Sequence, residues 1–244
     1  MTPEHLPLIA LCIFVIAFLY SSVGHAGASG YIAVLSLFSV TPAVIKPTAL
    51  ALNILVAAIC TWQFWRAGHF SWRLFWPFAL LSVPCAFAGG YFNLPTHYFK
   101  ILVGVVLLYS AARFLIKPPL EQEPTAPDRP AAISIGAGIG LLSGLTGTGG
   151  GIFLSPLLIF MAWSTTKGAS GVAAVFILCN SIAGLLGNLA SVKSLPPELP
   201  LYVGAVLAGA AIGSAFGVKL PAEKIRKALG VVLLIAGAKL FGVY

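Results

Sequence analysis

Ser143-Gly144-Leu145-Thr146-Gly147-Thr148-Gly149-Gly150-Gly151 interrupts one strongly apolar stretch of this chain, and Ser22-Val23-Gly24-His25-Ala26-Gly27-Ala28-Ser29-Gly30 interrupts another at a matching place earlier in the sequence. Glycine at this density continues a helix poorly, because it carries the largest backbone entropy cost and exposes peptide groups to its surroundings. In hydrocarbon, unpaired backbone groups persist only where protein buries them or where they line a wet cavity. Broken apolar segments at equivalent positions of two repeats point to a transport site near the bilayer midplane. The chain is therefore expected to move a small solute across a membrane.

Composition away from the breaks identifies the solvent. Hydrophobic residues form 59% of the 244 and charged residues 8%, against roughly 45–50% and about 25% in soluble domains. A mean hydropathy of +1.00 excludes a water-facing globule. Runs of spanning length, about 20 residues, recur at Ala43–Trp65, Leu74–Phe92, Phe99–Ile116 and Leu201–Val218. Leu6–Tyr20 lacks a basic leader and flows into the first break, so it is expected in the mature fold rather than in a cleaved signal. The net charge of +8 sits at segment ends, the pattern of a membrane protein anchored towards the cytoplasm and not of a nucleic-acid binder. Cys12, Cys60, Cys85 and Cys179 lie inside apolar segments without CxxC spacing. They read as buried free thiols, not as disulfides or zinc ligands.

The chain also resembles itself. Leu94-Pro95 through Lys100, Gly104-Val105-Val106-Leu107-Leu108 and Ala112-Arg113 recurs 126 positions later as Leu220-Pro221 through Arg226, Gly230-Val231-Val232-Leu233-Leu234 and Ala238-Lys239, with eight of 22 positions identical. Duplication predicts a first repeat over 1–117, a linker over 118–130 and a second repeat over 131–244. The linker, Pro118-Pro119-Leu120-Glu121-Gln122-Glu123-Pro124-Thr125-Ala126-Pro127-Asp128-Arg129-Pro130, is proline-rich, polar and without apolar periodicity. Each repeat holds five segments. They are predicted at Leu6–Tyr20, Ser29–Val40, Ala43–Trp65, Leu74–Phe92 and Thr96–Ile116, then at Ala131–Leu142, Gly151–Trp163, Lys167–Asn188, Leu201–Leu220 and Ala222–Phe241. The first two segments of each repeat are short: twelve residues of helix make about 18 Å, against a hydrocarbon core of about 30 Å. They are expected to descend and return as a pair meeting at the break, or to cross only partway.

Loop charge predicts orientation. Arg66, His69 and Arg73 follow the third segment, whereas the equivalent later loop balances Lys193 with Glu198; Lys219, Lys224, Arg226 and Lys227 follow the ninth, whereas the equivalent earlier loop has only His97 and Lys100. Positive excess in opposite connections implies a second repeat inverted relative to the first, with the linker cytoplasmic and both termini outside. Trp62, Trp65, Trp72 and Trp76 read as an aromatic belt. Gly209, Gly213 and Gly217 read as a stripe admitting a close helix.

The chemistry available inside the membrane favours an anion. All six acids (Glu4, Glu121, Glu123, Asp128, Glu198 and Glu223) lie in termini, linker or loops. Cation and proton carriers usually place a carboxylate at depth. Helices beginning at the breaks would instead present unpaired N–H groups and positive dipole ends, which bind anions. The predicted substrate-binding set is His25, Gly27, Ser29, Gly30, Asn53, Thr146, Thr148, Gly149, Gly150, Gly151 and Asn180. Ser21 and Ser22 are weaker candidates. Within this set His25 is a donor or proton carrier, or a hydrogen-bonded core residue. Asn53 and Asn180 occupy equivalent places, where interhelical hydrogen bonding and site lining are both open readings. Lys46 and Lys167 near the starts of their segments either snorkel to the interface or form a gate that attracts anions. No catalytic residue, metal site or cofactor is expected, and no enzymatic activity.

The Gly-Thr-Gly-Gly-Gly-Ile-Phe-Leu-Ser-Pro-Leu-Leu run at Gly147–Leu158, its degenerate first copy at Gly27–Leu37 and the Leu-Pro…Gly-Val-Val-Leu-Leu terminators resemble the TauE/SafE sulfite exporter family, also called the toluene sulfonate uptake permease family. The resemblance runs from about Leu8 to Phe241. It implies a multi-pass inner-membrane carrier of sulfur-containing anions such as sulfite or organosulfonates. The expected fold is thus all-helical, two inverted five-segment repeats with broken short helices, and the expected function a secondary transporter working by alternating access, most simply as an exporter. An anion channel and a proton-coupled uptake permease are the alternatives. The partners are the small anion and the lipid bilayer, with no nucleic acid, and the oligomeric state, a homodimer included, is open.

Overall fold

A computed structural model describes residues 5–22, 26–116, 123–192, 195–216 and 222–241. These residues form ten helices and no strand: α1 (Leu6–Ser22), α2 (Ala28–Leu37), α3 (Pro42–Arg66), α4 (Trp72–Tyr91), α5 (Thr96–Leu115), α6 (Arg129–Thr146), α7 (Gly151–Phe160), α8 (Thr166–Val192), α9 (Leu199–Phe216) and α10 (Ala222–Leu240). Among the described residues α3, α4, α5 and α8 are long and apolar enough to cross a membrane. The outer surface is apolar as well. Leu11 and Val15 on α1, Leu80 and Phe87 on α4, and Val231 and Leu234 on α10 are all exposed, a surface suited to lipid.

Every predicted segment is a helix, but the breaks are narrower than their glycine content suggests. The helix predicted to stop at Leu142 continues to Thr146, and the one predicted to stop at Tyr20 continues to Ser22. At about 1.5 Å per residue, α1 and α6, with 17 and 18 residues, nearly span a bilayer, and only α2 and α7, with ten each, are short. Gly144 does not break α6, because its missing side chain is used for packing: a methyl group there would overlap the Ala86 carbonyl of α4. The backbone departs from helical form only at Gly147, left-handed with φ 85°, followed by Gly149 at 75° and Gly150 at 80°. α2 ends at Leu37, earlier than the predicted Val40, where Ser39 takes a positive φ of 54°.

Two close helix pairs organise the molecule. Gly136, Gly140 and Gly144 of α6 lie against Phe78, Ser82 and Ala86 of α4, and side chains at those glycines would strike backbone carbonyls. Gly209 and Gly213 of α9 lie in the same way against Phe14 and Phe18 of α1. The small-residue stripe predicted on α9 is thus an interhelical contact; Gly217 lies outside the described residues. The ascending register makes both pairs parallel. α8 also runs parallel to α4, from Ser82 against Asn180 to Asn93 against Ser191. α5 and α10 run antiparallel, Gly104 meeting Phe241 and Leu115 meeting Gly230. Apolar packing is divided between a larger core around Ile13, Tyr31, Leu52, Phe99 and Tyr202 and a smaller one around Phe78, Leu154, Leu158 and Phe176.

The helices flanking each break return to the end from which they came. His5, before α1, packs on Phe38, after α2, with ring centroids 6.1 Å apart. Arg129 at the start of α6 and Ser164 beyond α7 line one groove together with Ser71 and Arg73 at the start of α4. Thr41, which follows α2, shares a different groove with Asn93 and Val192, past the far ends of α4 and α8.

Candidate functional site

The two breaks meet. One buried cavity is lined by Ala26 and Ser29 from the first and by Thr148 and Gly151 from the second, with Tyr20, Cys60, Phe114, Ser155 and Ser170 among the residues completing its wall. Its volume is about 30 Å³, close to what two water molecules need. In this conformation the space is nearly collapsed. It lies at the starts of both short helices, for Ser29 is the second residue of α2 and Gly151 the first of α7. Neither helix start has a side-chain cap, and the first amides of a helix have no partner within it.

Hydroxyls dominate the polar lining. Tyr20 Oη and Ser29 Oγ are 2.7 Å apart and joined by a hydrogen bond. Thr148 Oγ1 is 3.0 Å from Thr146 Oγ1, which donates to the Leu142 carbonyl at 2.7 Å. Several polar atoms near the breaks are buried without any hydrogen-bond partner: Ser143 Oγ, the acceptor Asn53 Oδ1, and two donors, Tyr31 Oη, beside Gly27, and Asn180 Nδ2, beside Gly150. An orphaned buried donor costs about 1–3 kcal/mol. Two of them flanking the breaks leave donor capacity that the protein itself does not use.

The asparagines support the second break from behind and are absent from the cavity wall. Asn53 donates from Nδ2 to Ser181 Oγ at 3.0 Å, joining α3 to α8, and Asn180 accepts from Ser82 Oγ at 3.0 Å, joining α8 to α4. A side chain at Gly149 would collide with the Asn53 carboxamide. Glycine is thus required at Gly149 for its positive φ and for this close approach.

Of the predicted set, the cavity wall contains Ser29, Thr148 and Gly151. Gly27 and Gly30 pack against Tyr31 and against Ile16 and Tyr20, while Gly149 and Gly150 shape the loop. His25 lies outside the described residues. Lys46 is buried and donates to the carbonyls of Gly89 at 3.1 Å and Phe92 at 2.8 Å, closing the last turn of α4, while its backbone lies against Gly147 of the second break. Lys167 is exposed at the start of α8. Sequence reasoning missed Tyr31, Cys60, Ser155 and Ser170. A signal existed for the last two: Ser155 follows Gly151 by four residues, and Ser170 shares a helix face with Ala173, Ala174 and Ile177, all of the cavity wall.

The far ends of the short helices carry a matched pair of cations. Lys239 of α10 donates to the carbonyl of Leu37, the last residue of α2, at 2.5 Å. Arg113 of α5, 126 positions earlier, stacks its guanidinium 4.3 Å from the ring centroid of Phe160, the last residue of α7. Cations there complement the negative dipole ends. Among the described residues no group of three or more His, Cys, Asp or Glu side chains could hold a metal.

Residues 9–240 match the family model described as Sulfite exporter TauE/SafE. The chain is also 43% identical over 239 residues to the protein named "Probable membrane transporter protein y4hK" of Sinorhizobium fredii (strain NBRC 101917 / NGR234), covering 95% of this chain and 96% of that one.

Proposed function

The chain belongs to the TauE/SafE sulfite exporter family, whose members are membrane transporters, and from that premise we propose that it exports sulfite or a related small sulfur-containing anion across the inner membrane by alternating access. The observation carrying this reading is the single cavity shared by both breaks. An oxyanion seated there would meet amides from two helix starts and hydroxyls from Ser29 and Ser155, the donor chemistry that anions require. Tyr31 Oη and Asn180 Nδ2 are buried donors without a partner close to the breaks, outside the cavity wall in this conformation and available to a guest that widens it. Lys239 and Arg113 at the opposite ends of α2 and α7 leave the positive dipole ends of both helices towards the guest.

The architecture proposed is a pair of inverted repeats. Supporting it, the α1–α2 hairpin opens at the end where α4 finishes, the α6–α7 hairpin opens at the end where α4 begins, and the close pairs α1·α9 and α6·α4 exchange under the repeat. A nearly collapsed cavity suits a carrier, which must close around its solute, better than an open channel. An inside-negative potential of about 100 mV favours export of each negative charge by about 2.3 kcal/mol, so export needs no coupling ion.

Purified protein in liposomes tests the reading. The expected result is saturable sulfite flux, driven outward by an inside-negative potential and slowed by competing sulfonates. Flux no faster than from protein-free liposomes under that potential would refute it.

A further inference from the structure

We infer that the groove at the starts of α4 and α6 is a binding site for a phospholipid with an anionic headgroup. The groove encloses about 370 Å³ and is lined by Arg73, Arg129, Ser71, Thr125, Trp76 and Ser164, among others. Beside it lies an apolar hollow of about 520 Å³ lined by Trp72, Phe75, Trp76, Ala79 and Leu80. Trp76 belongs to both walls, so a charged compartment and an oily one join at one ring. A soluble anion has use for only the first of these; a lipid fits both, headgroup against the arginines and acyl chain along the hollow.

The charge is available. Among the described residues neither Arg73 nor Arg129 forms an ion pair, and the Arg129 guanidinium rests 5.9 Å from the Trp76 ring centroid. The nearby Asp128 carboxylate is engaged by the amide of Ala131, at 3.4 Å, as the cap of α6. Guanidinium groups present a planar fork that matches a phosphate diester, and hydroxyls of Ser71 and Ser164 can complete its coordination. Placement agrees as well. Both arginines stand in the first turns of helices whose following residues are apolar, and Trp72 is exposed beside them, which puts the groove at headgroup depth. Basic pockets between helices at this depth recognise anionic lipids.

Native mass spectrometry of the full-length detergent-purified chain, titrated with phosphatidylglycerol or phosphatidylcholine of the same acyl chains, tests it. The expected result is one tightly retained phosphatidylglycerol, bound about tenfold or more tightly than phosphatidylcholine, and weakened selectively in Arg73→Gln/Arg129→Gln. Equal retention of both lipids by the unaltered chain would overturn the proposal, and this comparison needs no variant to fold. Unchanged phosphatidylglycerol binding in a double variant that elutes like the unaltered chain would also overturn it. Inorganic phosphate serves as the free-anion arm: displacement of the lipid at millimolar phosphate would show a soluble-anion site instead.

Discussion

Tyr31 carries a buried hydroxyl with no partner, placed where the first break turns into α2. Tyr31→Phe removes that single oxygen. The expected outcome is an unchanged or higher melting temperature, because an orphaned donor disappears, together with an apparent KM for sulfite raised about tenfold, the worth of one hydrogen bond to a charged guest. An unaltered KM in liposome flux would show that the hydroxyl does not reach the substrate. Gly149 is the converse case, needed for shape. Valine there must adopt a φ near 75° and displace the Asn53 carboxamide, so Gly149→Val is expected to insert normally yet lose transport; flux at the unaltered rate would contradict this. Gly138→Ala is the control, since a methyl at Gly138 meets open space. These residues differ in how far the sequence exposed them. Glycine density marked Thr148 and Gly151 directly, and Ser29 by repetition. Tyr31 and Cys60 were illegible, because a single aromatic or thiol in an apolar run reads as core until neighbours are known.

Among the elements, α2 and α7 matter most, and each is held at its far end by a cation from a long helix. Lys239→Met removes one cap and its charge. A terminal charge is worth about 0.3–1 kcal/mol, and up to about 2 when partly buried. The expected result is a KM raised about three- to tenfold, little change in maximal rate, and recovery in Lys239→Arg; the Arg113→Leu and Arg113→Lys pair should behave alike. A fall in maximal rate with KM constant, or no rescue by the conservative change, would mark the cations as scaffold only. The sequence aligned Arg113 with Lys239 as part of the duplication but could not show what they touch. It also placed the end of α6 too early, since Gly144 and Ser143 looked like breakers. Gly144 belongs to the interhelical stripe, and packing against α4 overrides its low propensity.

For the whole molecule, the inverted arrangement predicts where water-soluble reagents reach. In a variant lacking the four native cysteines, Thr125→Cys is expected to resist an impermeant maleimide applied to intact cells and to react after permeabilisation, whereas His5→Cys reacts from outside. Labelling of Thr125→Cys from outside would reverse the orientation. Membrane class, ten segments and the duplicated breaks were legible, since hydropathy and glycine carry them. Which helix packs on which was not, because helices apolar on every side display no single buried face; the α9 stripe announced a close neighbour without identifying α1. The central claim is that one anion sits between the two breaks, and selenite, the heavier congener of sulfite, reports it most directly. An anomalous-difference map from crystals grown with selenite is expected to show a peak bounded by Ser29, Thr148 and Gly151, within hydrogen-bond reach of the first amides of both α2 and α7. A map with selenium elsewhere, and none between the breaks, would contradict it.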